Sequence, residues 1–318
     1  MPSEFDLIAR HFTRPCPGAT LGVGDDAALL RPAPGMDLAV STDMLVSGRH
    51  FLPDTDPRRL GHKTLAVNLS DLAAMGAIPR WATLALALPQ ADEAWLAAFS
   101  AGFFDLAAHH GVDLVGGDTT RGPLALSVTI LGEVESGRAL RRDAARAGDE
   151  LWVSGELGGA ALGLMHVQGA LHLNAEHARA CLARLEAPQP RVALGRALIG
   201  LARAAIDVSD GLLADLGHIL ERSGVGAELA LERLPVPAAL SPLMAQEAGR
   251  ACALAGGDDY ELCFTAPVSA REALAELEAE LGLRLTRIGQ ITATAGLTVR
   301  DGEGRPLPTL RQGYDHFG

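Results

Sequence analysis

The chain has 318 residues, a length that suits two domains of ordinary size, each with its own core. Its 48% hydrophobic and 21% charged residues are typical of a globular protein and exclude a disordered or fibrous one. The formal net charge of −12 argues against a nucleic-acid binder, because duplex binding depends largely on Lys and Arg displacing counterions from phosphates.

The acidic balance also limits how a phosphate-bearing ligand can be held. Lys63 is the only lysine in the sequence. Phosphate contacts therefore fall mainly to cations, backbone N–H groups and arginine, whose planar fork matches phosphate oxygens.

Cysteine usage and hydropathy predict a cytoplasmic protein with no membrane partner. The start of the sequence lacks the basic segment and apolar core of a signal peptide. The longest apolar run, around Trp81 to Leu88, is far shorter than the ~20 residues that span a bilayer. The cysteines have neither disulfide-framework nor zinc-ligand spacing, so we expect free thiols at Cys16, Cys181, Cys252 and Cys263.

The first predicted elements carry polar residues at their ends. A glycine-rich turn, Gly22–Ala27, contains Asp25 and Asp26. The short apolar run from Leu38 predicts a buried strand whose end presents three oxygen-bearing side chains together, Ser41, Thr42 and Asp43.

A helix is predicted next, from Pro57 to Met75. Asp56 supplies an N-cap, Pro57 suits the first helical position and Gly76 follows the last periodic residue. Helical spacing puts Lys63, Val67 and Asp71 on one stripe, with Asn68 beside Asp71.

Strands and helices then alternate, which indicates an α/β or α+β layer architecture. We predict a strand at Trp81–Leu88, a helix at Glu93–His110, a strand at Val112–Val115 and a strand at Leu124–Val134. The third of these delivers Gly116, Gly117 and Asp118 to a loop. Its glycines let backbone N–H groups approach an anion, although Gly and Asp are also the commonest turn residues.

The chain becomes polar and arginine-rich between Gly137 and Asp149, where we place a boundary between domains at 1–138 and 139–318. In the second half we expect strands at Glu150–Ser154 and Ala204–Val208. Helices are expected from Gly159 to about Val167 and at His177–Leu185, Arg191–Arg203, Gly211–Arg222 and Ser269–Leu281. The strand that ends at Val208 brings Asp207, Ser209 and Asp210 to the start of a helix, where an Asp can also be an ordinary cap.

The acidic clusters together indicate a divalent-metal and phosphate site. Mg²⁺ prefers oxygen ligands, usually one or two carboxylates completed by phosphates and water. Each cluster alone can be a turn, a cap or a solvated helix face, but five such explanations at once are improbable. A P-loop motif and the spacing of an EF-hand loop are both absent from the sequence.

The assembled motifs resemble those of the thiamine-monophosphate kinase family, in the superfamily that includes aminoimidazole ribonucleotide synthetase and selenophosphate synthetase. The run from Asn68 to Gly76, the Gly-Gly-Asp-Asp-Tyr-Glu-Leu segment and the Gly-Tyr-Asp-His-Phe tail mark this family in particular. Matching segments cover the chain from end to end: Gly22–Ala27, Ser41–Asp43, Val67–Gly76, Gly116–Gly122, Asp207–Gly211, Gly256–Leu262 and Gly313–Phe317.

The resemblance implies ATP-dependent phosphorylation of thiamine monophosphate to thiamine diphosphate, by direct in-line transfer with several Mg²⁺ ions. It implies an N-terminal α/β domain that binds ATP and metal and whose mixed sheet pairs with its copy in a homodimer. It also implies a C-terminal α+β domain that completes the active site. The acceptor is already an anionic phosphate oxygen, so no general base is assigned.

The resemblance also implies roles for individual residues. Metal ligands are expected at Asp26, Ser41, Thr42, Asp43, Asp71, Asp118, Asp207 and Asp210. Contacts with ATP are expected at Asp26, Gly117, Asp118, Arg142 and Ser209, and contacts with the thiamine substrate at His50, Asp258 and Tyr314. Two alternatives stay open: another ATP-using enzyme of the aminoimidazole ribonucleotide or selenophosphate synthetase type, and a non-catalytic metal- and nucleotide-binding module.

Overall fold

The structure is a computed structural model that describes residues 4–308 and Gly313. Within that part the chain forms two compact units. The first comprises the residues up to Leu72 together with Ala77–Gly137, and the second comprises Ala73–Gly76 together with the residues from Arg138 onward.

The first unit contains a mixed sheet covered by two long helices. The elements up to residue 135 are α1 (Glu4–Leu7), a π-helical turn (Ile8–Phe12), β1 (Met36–Val46), α2 (Pro57–Ala74), β2 (Ile78–Leu88), α3 (Glu93–His110), β3 (Asp113–Arg121) and β4 (Ala125–Glu135). The described strands are ordered β1-β4-β2-β3 in the sheet, with β4 antiparallel to β1 and β2, and β3 parallel to β2.

Local chemistry accounts for the two long helices. The carboxylate of Asp92 caps α3 by accepting the N–H groups of Ala94 and Trp95. The two helices approach closely because glycines stand where they meet: a Cβ on Gly61 would lie 2.0 Å from the carbonyl oxygen of Phe99. Apolar side chains of α2, β2 and β4 are buried in the core of this unit.

The second unit has a larger sheet. Its elements are β5 (Glu150–Ser154), α4 (Gly159–Val167), α5 (Ala175–Glu186), α6 (Val192–Ala197), β6 (Ala204–Val208), α7 (Leu212–Ser223), β7 (Gly226–Ala230), α8 (Glu247–Ala255), β8 (Glu261–Ala266), α9 (Arg271–Leu281), β9 (Leu285–Thr292) and β10 (Gly296–Arg300). Among the described residues the sheet order is β10-β7-β9-β5-β8-β6. β10 is parallel to β7, and all the other neighbouring pairs are antiparallel. Short 3₁₀ turns lie at Leu231–Arg233, Ser241–Leu243 and Val268–Ala270.

Several predicted elements are confirmed to the residue, namely Glu93–His110, Glu150–Ser154 and Ala204–Val208. The predicted helix Arg191–Arg203 is wrong beyond Ala197, because Gly200 adopts a positive φ of 86° and turns the chain. The strands and the helix between 226 and 266, and the last two strands, were missed because their short apolar runs lack clear periodicity.

Two motif segments lie within strands, not at their ends. The segment from Gly116 to Arg121 is not a loop but lies inside β3, paired with β2. Likewise β1 does not end at Asp43 but continues to Val46, so the polar triplet sits within the strand.

Candidate active site

Strand β1 and helix α2 bring two predicted acidic residues into one contact region. Ser41 and Asp43 are two residues apart on β1 and so face the same side of the sheet. The Ser41 hydroxyl donates to Asp71 Oδ2 of α2 at 2.5 Å, and the Asp43 backbone N–H donates to Asn68 Oδ1 at 3.1 Å. Asn68 is fixed in turn because its Nδ2 donates to the Thr64 carbonyl at 3.1 Å. This contact therefore carries the carboxylates of Asp43 and Asp71.

Thr42 does not join this group through its side chain. Successive side chains of a strand point to opposite faces, and Thr42 Oγ1 lies 2.8 Å from Thr129 Oγ1 of β4. The expectation that the side chains of Ser41, Thr42 and Asp43 are presented together is wrong, because β1 continues as a regular strand through all three. Thr42 can face the same ligand as its neighbours only through its backbone.

The stripe predicted on α2 is buried. Lys63 is 1% exposed and is among the largest fully buried side chains of the described residues, and Val67 and Asn68 are buried too. A buried lysine is rare unless it is paired. The polar stripe of α2 therefore faces the interior of the first unit.

A second group of predicted residues lines a cavity of about 660 Å³ in the first unit. Asp25 and Asp26 come from the turn that precedes β1, and Gly116, Gly117 and Asp118 come from β3. Apolar side chains complete the wall: Phe5, Ile8, Phe12, Leu84, Leu86 and Leu114. A mostly apolar cavity of this size with a few convergent polar groups suits a small-molecule ligand.

The cavity and the β1–α2 contact are separate places on the same sheet. Asp43 pairs with Val128, Val128 with Leu84, and Leu84 with Gly117, so three strand spacings separate Asp43 from Gly117. At ~4.8 Å a strand this is roughly 14 Å. Across residues 4–308 and Gly313, no group of three or more His, Cys, Asp and Glu side chains is arranged to hold a metal ion alone.

In the second unit two predicted segments are joined by backbone hydrogen bonds. The Asp258 N–H donates to the Ser209 carbonyl at 2.9 Å, and the Tyr260 N–H donates to the Val208 carbonyl at 2.8 Å. Asp207, at the end of β6, is buried, whereas Ser209 and Asp210 follow the strand and are half-buried. The structure thus brings Ser209, Asp210 and Asp258 together.

The Gly256–Tyr260 segment has an unusual backbone. Asp258 and Tyr260 have positive φ angles of 69° and 50°, a conformation that costs a residue with a side chain about 1–3 kcal/mol. The Tyr260 hydroxyl donates to Asp258 Oδ1 at 3.1 Å. Such strain is concentrated at functional sites, where surrounding structure maintains it.

Buried acidic residues behind this segment were not predicted. Asp259 Oδ2 accepts the Gly158 N–H at 2.6 Å, while within the described residues its buried Oδ1 has no hydrogen-bond partner. Burial raises the pKa of Asp259 to about 8. Glu261 accepts a two-pronged pair from Arg191 at 2.6 and 2.5 Å. The Asp-Asp-Tyr-Glu run was the only sequence signal for these residues.

Asp215 was also missed, although it lies in a predicted helix. Its Oδ2 accepts three consecutive backbone N–H groups, those of Ser209, Asp210 and Gly211, at 3.0 to 3.1 Å. Burial, and then repulsion from Asp210, raises the pKa of Asp215 to about 7, against the lowering effect of the three N–H groups. The cap of α7 is Gly211, so the alternative reading of Asp210 as a helix cap is wrong.

The remaining predicted residues lie elsewhere. His50 follows β1, and its Nδ1 accepts the Val46 N–H at 2.9 Å, so the neutral ring carries its proton on Nε2. Arg142 is exposed in the second unit, and its carbonyl accepts the Ser223 hydroxyl at 2.9 Å. Tyr314 lies outside the described residues. No helix within residues 4–308 is both long and apolar enough to cross a membrane.

The two units correspond to two family models. The model described as AIR synthase related protein, N-terminal domain, matches residues 24–134, and AIR synthase related protein, C-terminal domain, matches residues 146–302. The fold class predicted from the sequence, an α/β half with a mixed sheet and an α+β half, is confirmed.

Full-length relatives narrow this class. The thiamine-monophosphate kinase of Escherichia coli K12 is 50% identical over 320 residues, which cover 99% of this chain and 98% of the relative. The crystal structure of thiamine-monophosphate kinase from Stenotrophomonas maltophilia K279a has a TM-score of 0.84 at 54% identity, over 92% of this chain and 94% of that one. AaThiL complexed with AMPPCP and TMP has a TM-score of 0.79 at 31% identity, over 90% and 89% of the two chains. The chain belongs to the thiamine-monophosphate kinase family.

Proposed function

We propose that the chain transfers the terminal phosphoryl group of ATP to the phosphate of thiamine monophosphate, giving thiamine diphosphate and ADP. The observation that carries this proposal is the cavity lined by Asp26, Gly117 and Asp118. The chain is also similar, over nine-tenths of its length, to AaThiL complexed with AMPPCP and TMP. The cavity is lined by apolar side chains together with a few carboxylates and glycines, a combination that suits a small-molecule ligand.

The first unit supplies most of the proposed ATP contacts. Gly117 brings backbone of β3 to the cavity, and Asp26 and Asp118 bring carboxylates, which phosphate would repel unless a cation intervened. We propose further ATP contacts from Ser209 and Arg142 of the second unit. Arginine suits this role because its planar fork matches phosphate oxygens.

The oxygen donors of the site fit Mg²⁺. Ser41, Asp43 and Asp71 offer hydroxyl and carboxylate oxygens at one strand–helix contact, and Asp26 and Asp118 offer carboxylates at the cavity. Pairs of carboxylates rather than all-protein cages are what Mg²⁺ uses when phosphates and water complete its coordination. Bound Mg²⁺ would neutralise charge on the phosphate oxygens. We propose the ligand set Asp26, Ser41, Thr42, Asp43, Asp71, Asp118, Asp207 and Asp210.

The chain's own residues then need only to bind and orient the reactants. The acceptor is an anionic phosphate oxygen, so transfer is mainly a matter of positioning and charge compensation. We propose His50, Asp258 and Tyr314 for the thiamine end. The strained backbone that holds Asp258 supports its assignment.

A direct assay tests the activity. Protein, ATP and Mg²⁺ are incubated with thiamine monophosphate, and thiamine diphosphate and ADP are followed by mass spectrometry, with an EDTA-treated sample as control. Equal amounts of thiamine diphosphate and ADP are expected only with Mg²⁺. ATP cleavage without thiamine diphosphate would favour another enzyme of the superfamily, and ATP binding without turnover would favour a binding module.

We further propose a cytoplasmic location. Among the described residues the four cysteines are free thiols, and three of them are buried. Free thiols are typical of a reducing compartment. Detection of the protein in the soluble cytosolic fraction after gentle lysis is the expected result.

We also propose that the first unit forms a homodimer through the outer face of its sheet. Leu38, Val40 and Met44 alternate along β1 on the side opposite Ser41 and Asp43, and they are 40%, 57% and 59% exposed. A row of large apolar side chains on a sheet face is an unusual solvent surface and typical of an interface.

Val40→Asp is therefore expected to convert a dimer into a monomer, because the interface would have to bury a charge. Light scattering coupled to size-exclusion chromatography measures the mass. The control is Val268→Asp in the second unit, at a residue with a similar exposed fraction of 51%, which is expected to leave the mass unchanged. A wild-type monomer, or a dimeric Val40→Asp variant, would contradict the proposed interface.

A further inference from the structure

One buried carboxylate organises the loop between β6 and α7. A single oxygen of Asp215, Oδ2, accepts the N–H groups of Ser209, Asp210 and Gly211 at 3.0, 3.1 and 3.1 Å. Asp215 is 3% exposed and lies in the first turn of α7, so it reaches back over the start of its own helix. Three consecutive amides are thereby directed at one point.

The N-cap position of α7 offers no side chain for this role. The first N–H groups of a helix lack intrahelical partners, and here the N-cap is Gly211, which has no side chain. Another residue cannot take its place, because Gly211 has a φ of 119° and a Cβ would lie 2.7 Å from the Ala255 carbonyl carbon. Asp215 instead accepts these amides from within the first turn of the helix.

The same loop is held from its other side. The Ser209 carbonyl accepts the Asp258 N–H at 2.9 Å, and a Cβ on Gly257 would lie 2.5 Å from that carbonyl oxygen. The Ser209 backbone is therefore hydrogen-bonded on both sides: its N–H donates to Asp215, and its carbonyl accepts from the Gly256–Tyr260 segment. The Ser209 side chain thus projects from a backbone fixed at both polar groups, and the Asp210 side chain from a backbone whose N–H is fixed by Asp215.

Placing a carboxylate there has an electrostatic cost. Asp215 is buried beside another acid, Asp210, and a buried charge is tolerated only when hydrogen bonds compensate its lost hydration. The three loop N–H groups supply that compensation. The carboxylate and the loop therefore depend on each other, and a change at Asp215 acts first on the backbone of Ser209–Gly211.

We propose that Asp215 is a positioning residue of the kinase site. It fixes the backbone of Ser209–Gly211, and thereby places the Ser209 hydroxyl for its proposed contact with ATP and the Asp210 carboxylate for its proposed role as a metal ligand. Asp215 touches neither reactant in this scheme and acts through the loop. The inference rests on the proposed function for its kinetic part, whereas its structural part is independent of the reaction.

The test compares Asp215→Ala and Asp215→Asn with Asp149→Ala. Asp149 is a matched control because it is also a buried acid of the second unit, 4% exposed, which accepts the Arg146 N–H and pairs with Arg203. Hydrogen–deuterium exchange of the peptide spanning 207–213 reports on the loop without any turnover. Steady-state kinetics then give KM for ATP, KM for thiamine monophosphate and kcat.

Asp215→Ala is expected to speed exchange in the 207–213 peptide about 10-fold, and to cost between about 10- and 100-fold in kcat/KM for ATP, the range for removal of a residue that supports a ligand. Asp215→Asn keeps an oxygen acceptor and is expected to lie much nearer the wild type in both measurements. Asp149→Ala is expected to change neither.

Equal exchange and kinetics in Asp215→Ala and Asp149→Ala would overturn the proposal and leave Asp215 a purely structural acid. Should Asp215→Ala fail to fold, Asp215→Asn decides: loop exchange and kinetic constants close to those of the wild type support geometric positioning, and a loss of about 10-fold or more in kcat/KM for ATP contradicts it. A wild-type protein without kinase activity would contradict the proposed function. The exchange comparison would still test whether Asp215 fixes the backbone of Ser209–Gly211.

Discussion

Asp118→Asn is expected to lower kcat by about 10³-fold, at the upper end of the loss caused by removing one charge-stabilising group from an active site. Asp118 lies on β3 among the residues that line the cavity; it is exposed and is proposed to serve both Mg²⁺ and ATP. Asparagine keeps the shape but is a far weaker ligand for a hard cation. The loss should be partly recovered at higher Mg²⁺ concentration, which a titration of the rate would show.

The fold should be insensitive to this change. Exposed substitutions away from caps and cores usually alter stability by no more than about 0.5 kcal/mol, so the thermal unfolding midpoint of Asp118→Asn should equal that of the wild type. The control is Asp113→Asn on the same strand. Asp113 accepts the Gly18 N–H at 2.7 Å and has a structural role that an amide oxygen can retain. Normal turnover in Asp118→Asn, or the same loss in Asp113→Asn, would contradict the assignment.

The elements that sequence patterns predicted well are those with strong local signals. Helix α3 was predicted to the residue, and its ends have clear local causes: Asp92 caps its start, and Gly111 in a left-handed conformation ends it. The acidic residues were found for a similar reason, since a carboxylate within or after an apolar run is a conspicuous exception to burial statistics.

Placement on a face was harder to predict. Thr42 looked like a partner of Ser41 and Asp43, but a strand that continues to Val46 turns its side chain to the other side. The separation of Asp43 from Asp118 depends on the strand order β1-β4-β2-β3. That order arises from pairings between segments distant in sequence, on which short-range patterns carry no information.

The supporting residues were hidden for another physical reason. Asp215 is one of several polar residues in an ordinary amphipathic helix, and only the folded loop shows that it accepts three amides. Likewise the sequence shows Glu261 only as part of a short motif. Its ion pair with Arg191, which is distant in sequence, appears only in the folded structure. Residues that bind a ligand can be predicted from their chemical type. Residues that position them act through tertiary contacts, which the sequence does not show.

Gly117→Ala is expected to destabilise the first unit strongly, by about 3 kcal/mol or more, the upper range for a side chain forced into a packed space. Gly117 was predicted to let a ligand approach, but a Cβ there would lie 1.9 Å from the Leu84 carbonyl oxygen of the paired strand β2. Its φ of 154° also lies where residues with a side chain are strained. The structural reason for this glycine is therefore the contact between β3 and β2.

The neighbouring glycine separates packing from ligand approach. A Cβ on Gly116 would meet only the Thr83 methyl group, at an ordinary 3.9 Å, although Gly116 lines the same cavity. Gly116→Ala should therefore keep the wild-type unfolding midpoint, whereas Gly117→Ala should unfold roughly 6–12 °C lower, at about 2–4 °C for each kcal/mol. Calorimetry of both variants measures the difference. A backbone clash of this size cannot be relieved without moving β2 or β3, so it should lower the unfolding midpoint. If Gly117→Ala kept the wild-type midpoint and lost only affinity for ATP, the packing argument would be wrong. The glycine would then serve the approach of the ligand.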